Sequence, residues 1–532
     1  MVLKVNYKKF KFERGNQVMR ARVIGLTIIA MFLVVLAACG NSNAETQSKD
    51  NATGTKSETS NAKGSGTAPD SANSKPVKVS VFVEGDVYPP EGGDVILEQF
   101  NELLNMDLDF QVGGTDYGTM LNVRIAGGTP PDIFTTTKSR LNEFAKQDAL
   151  LDLEPYLDKL PNAMKQINAL ANIDEGRVNG KLVGLPKANY LPSHMMFIRQ
   201  DWLDELGLEV PTTLEELRTV ALAFTNDDPD GNNQKDTYGI TGLENFSSFD
   251  PIFSAFGIGR MGLFSITDNN LVYSSTHPFM KDALAYLKDL QDNGALDSEF
   301  TVNKGTKHQE NAFKGQAGIV YMHWAQMSNN KQQILDINPD ARWTYIETLT
   351  GPGGTYNGAY GQGTSHFVSL SKSLEKDPER LEKALEYLDF ITHGEGQLIS
   401  YFGKEGENFT LNGDQVELLP EGRQTAYAFM HQLLGRDDRA YLPIKFPNDV
   451  EVINSAINVP RVALYNSLIP IPEEVTVSDI QRYELEEAIA FIYGRKSLDE
   501  FEQFVDTLNN TYKLPLYIQS GEAALKDLGI LK

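Results

Sequence analysis

Val77–Glu84 reads VKVSVFVE, a run rich in β-branched residues that predicts a buried strand. Asp94–Leu104 follows with apolar side chains at Val95, Ile96, Phe100, Leu103 and Leu104, the spacing of one helical face. Leu108–Val112 alternates as a second strand. Thr119–Ala126 reads as a helix closed by Gly127-Gly128, and Asp132–Thr135 as a third strand. Strands alternating with helices predict parallel βαβ units. Ligands in such sheets sit beyond the carboxyl ends of the strands. Gly85–Pro90 and Thr135–Ser139 are therefore candidate site loops. Later segments are mainly helical: Thr213–Phe224, Pro278–Gln291, Pro378–Thr392, Leu485–Tyr493 and Ser497–Leu508. Thr212 and Thr213 precede Glu215 and Glu216 by three residues, the capping-box spacing. There is no internal repeat.

The pattern before Val77 differs. Lys4, Lys8, Lys9, Lys11, Arg14, Arg20 and Arg22 face only Glu13, and Val23–Ala38 is a largely apolar run of sixteen residues. A basic stretch followed by a short apolar one is the layout of a secretory signal, and the run is short for a membrane span. Met19 is an alternative start that keeps a sufficient basic region. Leu36-Ala37-Ala38-Cys39-Gly40 resembles the lipobox of bacterial lipoproteins, in which Cys39 would be lipidated and would open the mature chain; the competing reading is a retained signal anchor. Gly40–Pro76 has no aromatic residue and no Leu, Ile, Val or Met. Such a segment cannot bury enough apolar area to offset its ordering entropy. It is expected to be a flexible tether, with a spread of roughly 30–35 Å.

The chain has 532 residues, 41% of them apolar, which suffices for several domains with sizeable cores. It carries 48 Lys and Arg against 72 Asp and Glu, a net charge of −24. Phosphate affinity needs clustered cations, so this balance speaks against a nucleic-acid binder. A single cysteine excludes a disulfide framework and a Cys-based zinc site.

Several segments resemble one family. LNVRIAGGTPPDIF (121–134), LLDLEPYLDKLP (150–161) and GRVNGKLVGLP (176–186) are similar to the N-terminal lobe of extracellular solute-binding proteins. The most specific stretch is FIRQDWLDELGLEVPTTLEELRTVALAFTNDDPDGNNQKDTYGIT (197–241). EYLDFITHGEGQ (386–397), YFGKEGENFT (401–410) and FIYGRKSLDEFEQFVDTL (491–508) extend the match in the family's order. The likeness is to the large lipoprotein subfamily that serves oligosaccharide ABC importers. It implies an α/β fold of two discontinuous lobes joined by a hinge, a type II, maltose-binding-like arrangement. The expected layout is a signal peptide at 1–38 and a lipidated Cys39 with tether at 39–76. The N-terminal lobe would take 77–187 plus about 345–415, and the C-terminal lobe 188–344 plus about 416–532. The resemblance further implies a monomer, lipid-anchored on the outer face of the cell membrane, that closes on an oligosaccharide and docks on an ABC permease without making or breaking a bond.

Asp228, Asp230, Asn232, Gln234 and Asp236 place oxygen donors at every second position, the pattern a hard cation such as Ca²⁺ requires. Position 12 of the loop is Gly239 and position 6 is Asn233, so it is not a complete EF-hand. Related binding proteins carry a similar loop with Ca²⁺, and some have a carboxylate where this chain has Thr237. The bland alternative is a solvated turn after a helix.

Sugar sites combine aromatic platforms with polar partners in a preformed concavity. Glu84, Asp86 and Tyr88 occupy the first strand–helix loop. Asn189 and Tyr190 stand at the first expected crossover, and Tyr360 and Gln362 at the return. Trp324 follows a strand-like run where the family often has a cleft aromatic. Trp202 and Trp343 read as core, and Arg199 with Asp201 as an internal pair. Two other readings stay open: a receptor for a peptide or another solute, and an anchored glycoside hydrolase, which needs two carboxylates about 5–10 Å apart.

Overall fold

A computed structural model describes residues 75–85, 88, 93–420 and 426–532. The expected signal, Cys39 and the tether lie outside the described residues, as does Asp86. In chain order, strand β1 is Val77–Val83, helix α1 Val95–Leu104, β2 Met106–Val112, α2 Tyr117–Ala126, β3 Ile133–Thr136 and α3 Lys138–Lys146. The chain then adds β4 Leu185–Pro186, β5 His194–Arg199, β6 Tyr238–Ile240, β7 Ala317–His323, β8 Trp343–Ile346 and β9 Phe367–Leu370.

These strands form two sheets. The first has the order β2-β1-β3-β9-β4; β1 is parallel to β2 and β3, and β9 runs antiparallel to β3 and β4. The second has the order β8-β5-β7-β6, with β5 antiparallel to β7 and β8. The sheets are therefore mixed, not wholly parallel. β9 and β5 are the strands that arrive directly from the other half, and an arriving strand has no crossover helix to force parallel pairing.

Both faces of each sheet are covered, which explains the unbroken apolar runs. In β1, Val79, Val81 and Val83 point into one core with Ile96, Phe100 and Leu388, whereas Phe82 points into another with Tyr117, Phe134 and Phe144. In β5, Met196 and Ile198 join Trp202 and Phe224 on one side; Met195 and Phe197 join Val320, Phe402 and Tyr441 on the other. The expected capping box is present at Leu214–Asn226: Thr213 Oγ1 accepts from Glu216 N at 3.1 Å and Glu216 reaches back to Thr213 N at 3.1 Å.

The lobe boundaries fall elsewhere than anticipated. β8 pairs with Met196–Arg199, and the first strand to rejoin the first sheet is β9, so the return lies beyond 345. Phe402 and Phe409 pack on the outer face of the second sheet. Tyr427, Met430, Leu433 and Leu434, expected in the second lobe, fill the first core. Helix Gly394–Phe402 serves both cores from its apolar C-terminal half: Ile399 enters the first core, while Tyr401 and Phe402 join the core on the second sheet.

Candidate functional site

Three segments that pass between the sheets meet at the carboxyl ends of β1 and β3. Residues 187–193 link β4 to β5, residues 357–366 lead into β9, and residues 426–437 leave the first core. They are bonded to one another. Ala188 N donates to Leu434 O at 3.0 Å, Lys187 N to His366 O at 3.0 Å, and Tyr360 Oη to Tyr190 O at 2.8 Å. Asn189 Nδ2 donates to Gly363 O, and Asn189 Oδ1 accepts from Ser365 N at 3.3 Å. Gly435 permits the closest approach: its φ is +78° and a Cβ there would stand 2.6 Å from Ala188 O.

This junction walls a cavity of about 250 Å³. Val83, Glu84 and Thr135 come from the strand ends, Lys187–Tyr190, Ser365 and His366 from the crossings, and Phe429, Met430 and Leu433 form an apolar floor. A second cavity of about 600 Å³ shares Ser365. Its first-half wall is polar, with Thr137, Lys138, Asn142 and Glu143; its second-half wall carries Ile469, Pro470, Ile471 and Tyr517. A third, of about 290 Å³, lies against Asn189, Tyr360, Gln362 and Arg436.

His366 Nε2 lies 3.7 Å from Glu84 Oε2, and His366 Nδ1 lies 2.9 Å from Ser365 Oγ. Burial holds the His366 pKa below the usual imidazole value, Lys187 and Arg140 add to this, and Glu84 opposes it. Tyr190 is 42% exposed, but the Arg436 guanidinium stands 4.9 Å from its ring centre and Lys187 Nζ 5.4 Å. On the second half, His194 and His323 face each other with ring centres 5.6 Å apart. Burial, His323 and Arg461 lower the His194 pKa to about 4. Arg461 donates to Tyr321 Oη at 3.0 Å, Asn357 O at 2.5 Å and His194 O at 2.6 Å.

Of the expected site residues, Glu84, Asn189 and Tyr190 line the smaller cavity, and Tyr360 and Gln362 the third. Tyr88 does not reach them. Its ring packs against Phe110 at 5.3 Å and His431 at 6.3 Å, beside the buried Asp94. Trp324 is a correction: it is 2% exposed and edge-on to Phe446 at 4.9 Å, because the strand before it delivers it into the core shared with Met322 and Phe402. Trp202 is core as anticipated, and Arg199 pairs with Asp201. Thr135 opens the candidate loop Thr135–Ser139, whereas Lys187, Ser365, His366 and the 429–433 floor were not anticipated. The floor reads as an ordinary apolar helix, and nothing in its spacing marks it as a cavity wall.

The acidic loop gathers around one amide. Asn232 Nδ2 donates to Asp230 Oδ2 at 2.9 Å and to Asp236 Oδ1 at 3.3 Å, and Asn232 N donates to Asp228 Oδ1 at 3.1 Å. Gln234 N closes on Asn232 Oδ1 at 2.6 Å. Burial raises the Asp230 pKa, and the neighbouring Asp236 and Asp228 add to the rise. Thr237 departs from the expected set: it is buried, and its hydroxyl donates to Phe224 O at 2.8 Å, away from the carboxylates. Among the described residues no three His, Cys, Asp or Glu side chains are placed to hold a metal ion.

A family described as bacterial extracellular solute-binding protein matches residues 94–397. Among curated proteins, lipoprotein LipO of Bacillus subtilis is 28% identical over 335 residues, 61% of this chain and 65% of that protein. The polygalacturonan/rhamnogalacturonan-binding protein YtcQ of the same organism is 28% identical over 340 residues, 62% of this chain and 66% of that protein. The chain thus spans just under two thirds of each relative's length. Among solved structures, the substrate-binding protein FusA of Streptococcus pneumoniae in complex with kestose superposes with a TM-score of 0.66 at 19% identity, over 86% of this chain and 100% of that one. An EF-hand mutant of FusA in complex with fructo-nystose gives a TM-score of 0.65 at 18% identity, over 86% and 100% of the chains. At that identity the likeness is one of fold, two α/β lobes. With more than half of its length matched, this chain belongs to the bacterial extracellular solute-binding protein family.

Proposed function

We propose that the protein captures an oligosaccharide between its two halves and delivers it unchanged to an ABC permease. The observation that carries this is the smaller cavity, at the carboxyl ends of β1 and β3 and walled by all three crossings, so that filling it acts on the segments about which the halves turn. Its mix of an apolar floor with Glu84, Lys187, Asn189 and His366 suits a ring with a hydrophobic face and a hydroxyl edge. The names of YtcQ and FusA, a polygalacturonan/rhamnogalacturonan binder and a fructooligosaccharide transporter subunit, support a saccharide. Calorimetry against saccharide and peptide panels tests the reading: binding of saccharides without turnover is expected, and turnover of the saccharide or exclusive peptide binding would reject it.

The Asp228–Asp236 loop is proposed to hold a structural Ca²⁺ through Asp228, Asp230, Asn232, Asp236 and the Gln234 carbonyl, without Thr237. An all-oxygen donor set and crowded carboxylates fit a hard cation. Attachment to the outer membrane face through a lipid on Cys39 is proposed from Leu36–Gly40. Replacement of Cys39 by Ala should release the protein into the medium.

A further inference from the structure

Resting on the saccharide reading, we propose that the solute is an extended oligomer lying in both cavities at once, with Ser365 at the junction, and that the wall around Ile471 sets its length. The two cavities adjoin: Ser365 lines both, and the end of β3 supplies Thr135 to the smaller and Thr137 to the larger, a strand step of about 7 Å. At 250 Å³ the smaller cavity falls below the volumes usual for a small-molecule site, about 300–1,000 Å³, whereas the larger lies within them. The larger cavity also opposes unlike walls. Asn142 offers hydrogen bonds from one side, beside Lys138, whose ammonium donates to Glu175 O and Arg177 O, and Ile471 offers an apolar surface from the other. Ile471 is 51% exposed, a large aliphatic side chain left in water at the groove's edge. A ligand confined to the smaller cavity would leave it there; an elongated one covers it. Because Ile471 and Ser365 are exposed, their replacement leaves the cores untouched.

The test uses partial digests of inulin, polygalacturonate and galactan, each containing monomers through long oligomers. Saccharides retained by the purified protein are identified by mass spectrometry and titrated by calorimetry. Trimers and longer chains should be retained over monomers and dimers. Ile471→Asp should weaken the longest chains about tenfold, with the affinity plateau reached at a shorter length. Ser365→Tyr, which fills the junction, should abolish the gain with length, and thermal melts should match the parent. Monomers and dimers bound as tightly as longer chains, or variants that bind every length as the parent does, would overturn the inference and leave the saccharide reading intact. Retention of no saccharide from any digest would overturn that reading, and the inference with it.

Discussion

Asp438 Oδ2 accepts the backbone N–H of Leu191 at 2.7 Å while its Oδ1 accepts Arg436 Nε at 2.6 Å. One carboxylate, 3% exposed, thus fastens the first crossing segment to the last. Asp438→Ala would leave the Leu191 N–H unpaired and strip the Arg436 guanidinium of its counter-charge, with Gln432 Oε1 at 2.8 Å as its other hydrogen-bond partner. It should lower folding stability by about 3 kcal/mol in urea unfolding.

Asp94 does comparable work at the other end of the 426–431 turn. Its Oδ1 caps α1 by accepting from Ile96 N at 3.1 Å and Leu97 N at 3.0 Å, and its Oδ2 lies 2.7 Å from His431 Nε2. Burial pushes the Asp94 pKa up, but the bonds from His431 and Leu97 win and hold it below the usual carboxylate value. A lowered folded pKa means the stabilisation is complete above the unfolded value, about 3.9, and is lost as pH falls through the folded one. Asp94→Asn should therefore flatten the loss of stability below about pH 4, read by urea midpoints across pH.

Glu484 predicts the opposite sign. It is 2% exposed, and burial raises its pKa to about 7 against the hydrogen bonds from Ser275 and Tyr273. The folded state holds a proton that the unfolded state releases, so stability should decline as pH rises from about 4.3 to about 7. Glu484→Gln should remove that decline and gain on the order of 2–3 kcal/mol at pH 8, measured by chemical unfolding.

Millimolar Ca²⁺ should raise the melting temperature of chelator-treated protein, by up to about 4 kcal/mol of stabilisation at a thousandfold excess over Kd. Asp230→Asn should abolish the shift. An equal response in parent and variant would show that the loop at 228–236 is not where the ion acts.

Lys187→Ala removes a cation that lines the smaller cavity and stands over Tyr190. Saccharide affinity should fall at least tenfold, about 1.4 kcal/mol, with the melting temperature nearly unchanged.

The elements of the first half were legible because their signals are local. β1 ends one residue earlier than its apolar run suggested, and α1 begins at Val95, one residue inside the expected Asp94–Leu104, with Asp94 as its cap. The lobe boundaries were not, because they depend on which core a short apolar segment enters. Tyr427, Met430 and Leu433 match either core by composition, and only the fold assigns them to the first. Asn189 and Tyr190 were recognisable at a crossover, and Glu84 at a strand end. Trp324 illustrates the converse: a large aromatic after a strand suits a platform and a core equally, and the room beside Phe446 decides. The acidic loop's spacing was visible, but the inward turn of Thr237 depends on a carbonyl thirteen residues upstream.

The shuttling of the chain has a consequence for how this protein can be altered. The first half is assembled from β1 to β4, from β9 with its following helices, and from residues around 427–434. No contiguous stretch encodes either half, so neither can be produced by cutting the gene at one place. New recognition properties must therefore arise by point replacement in the groove, since exchanging halves between relatives would require several simultaneous splices.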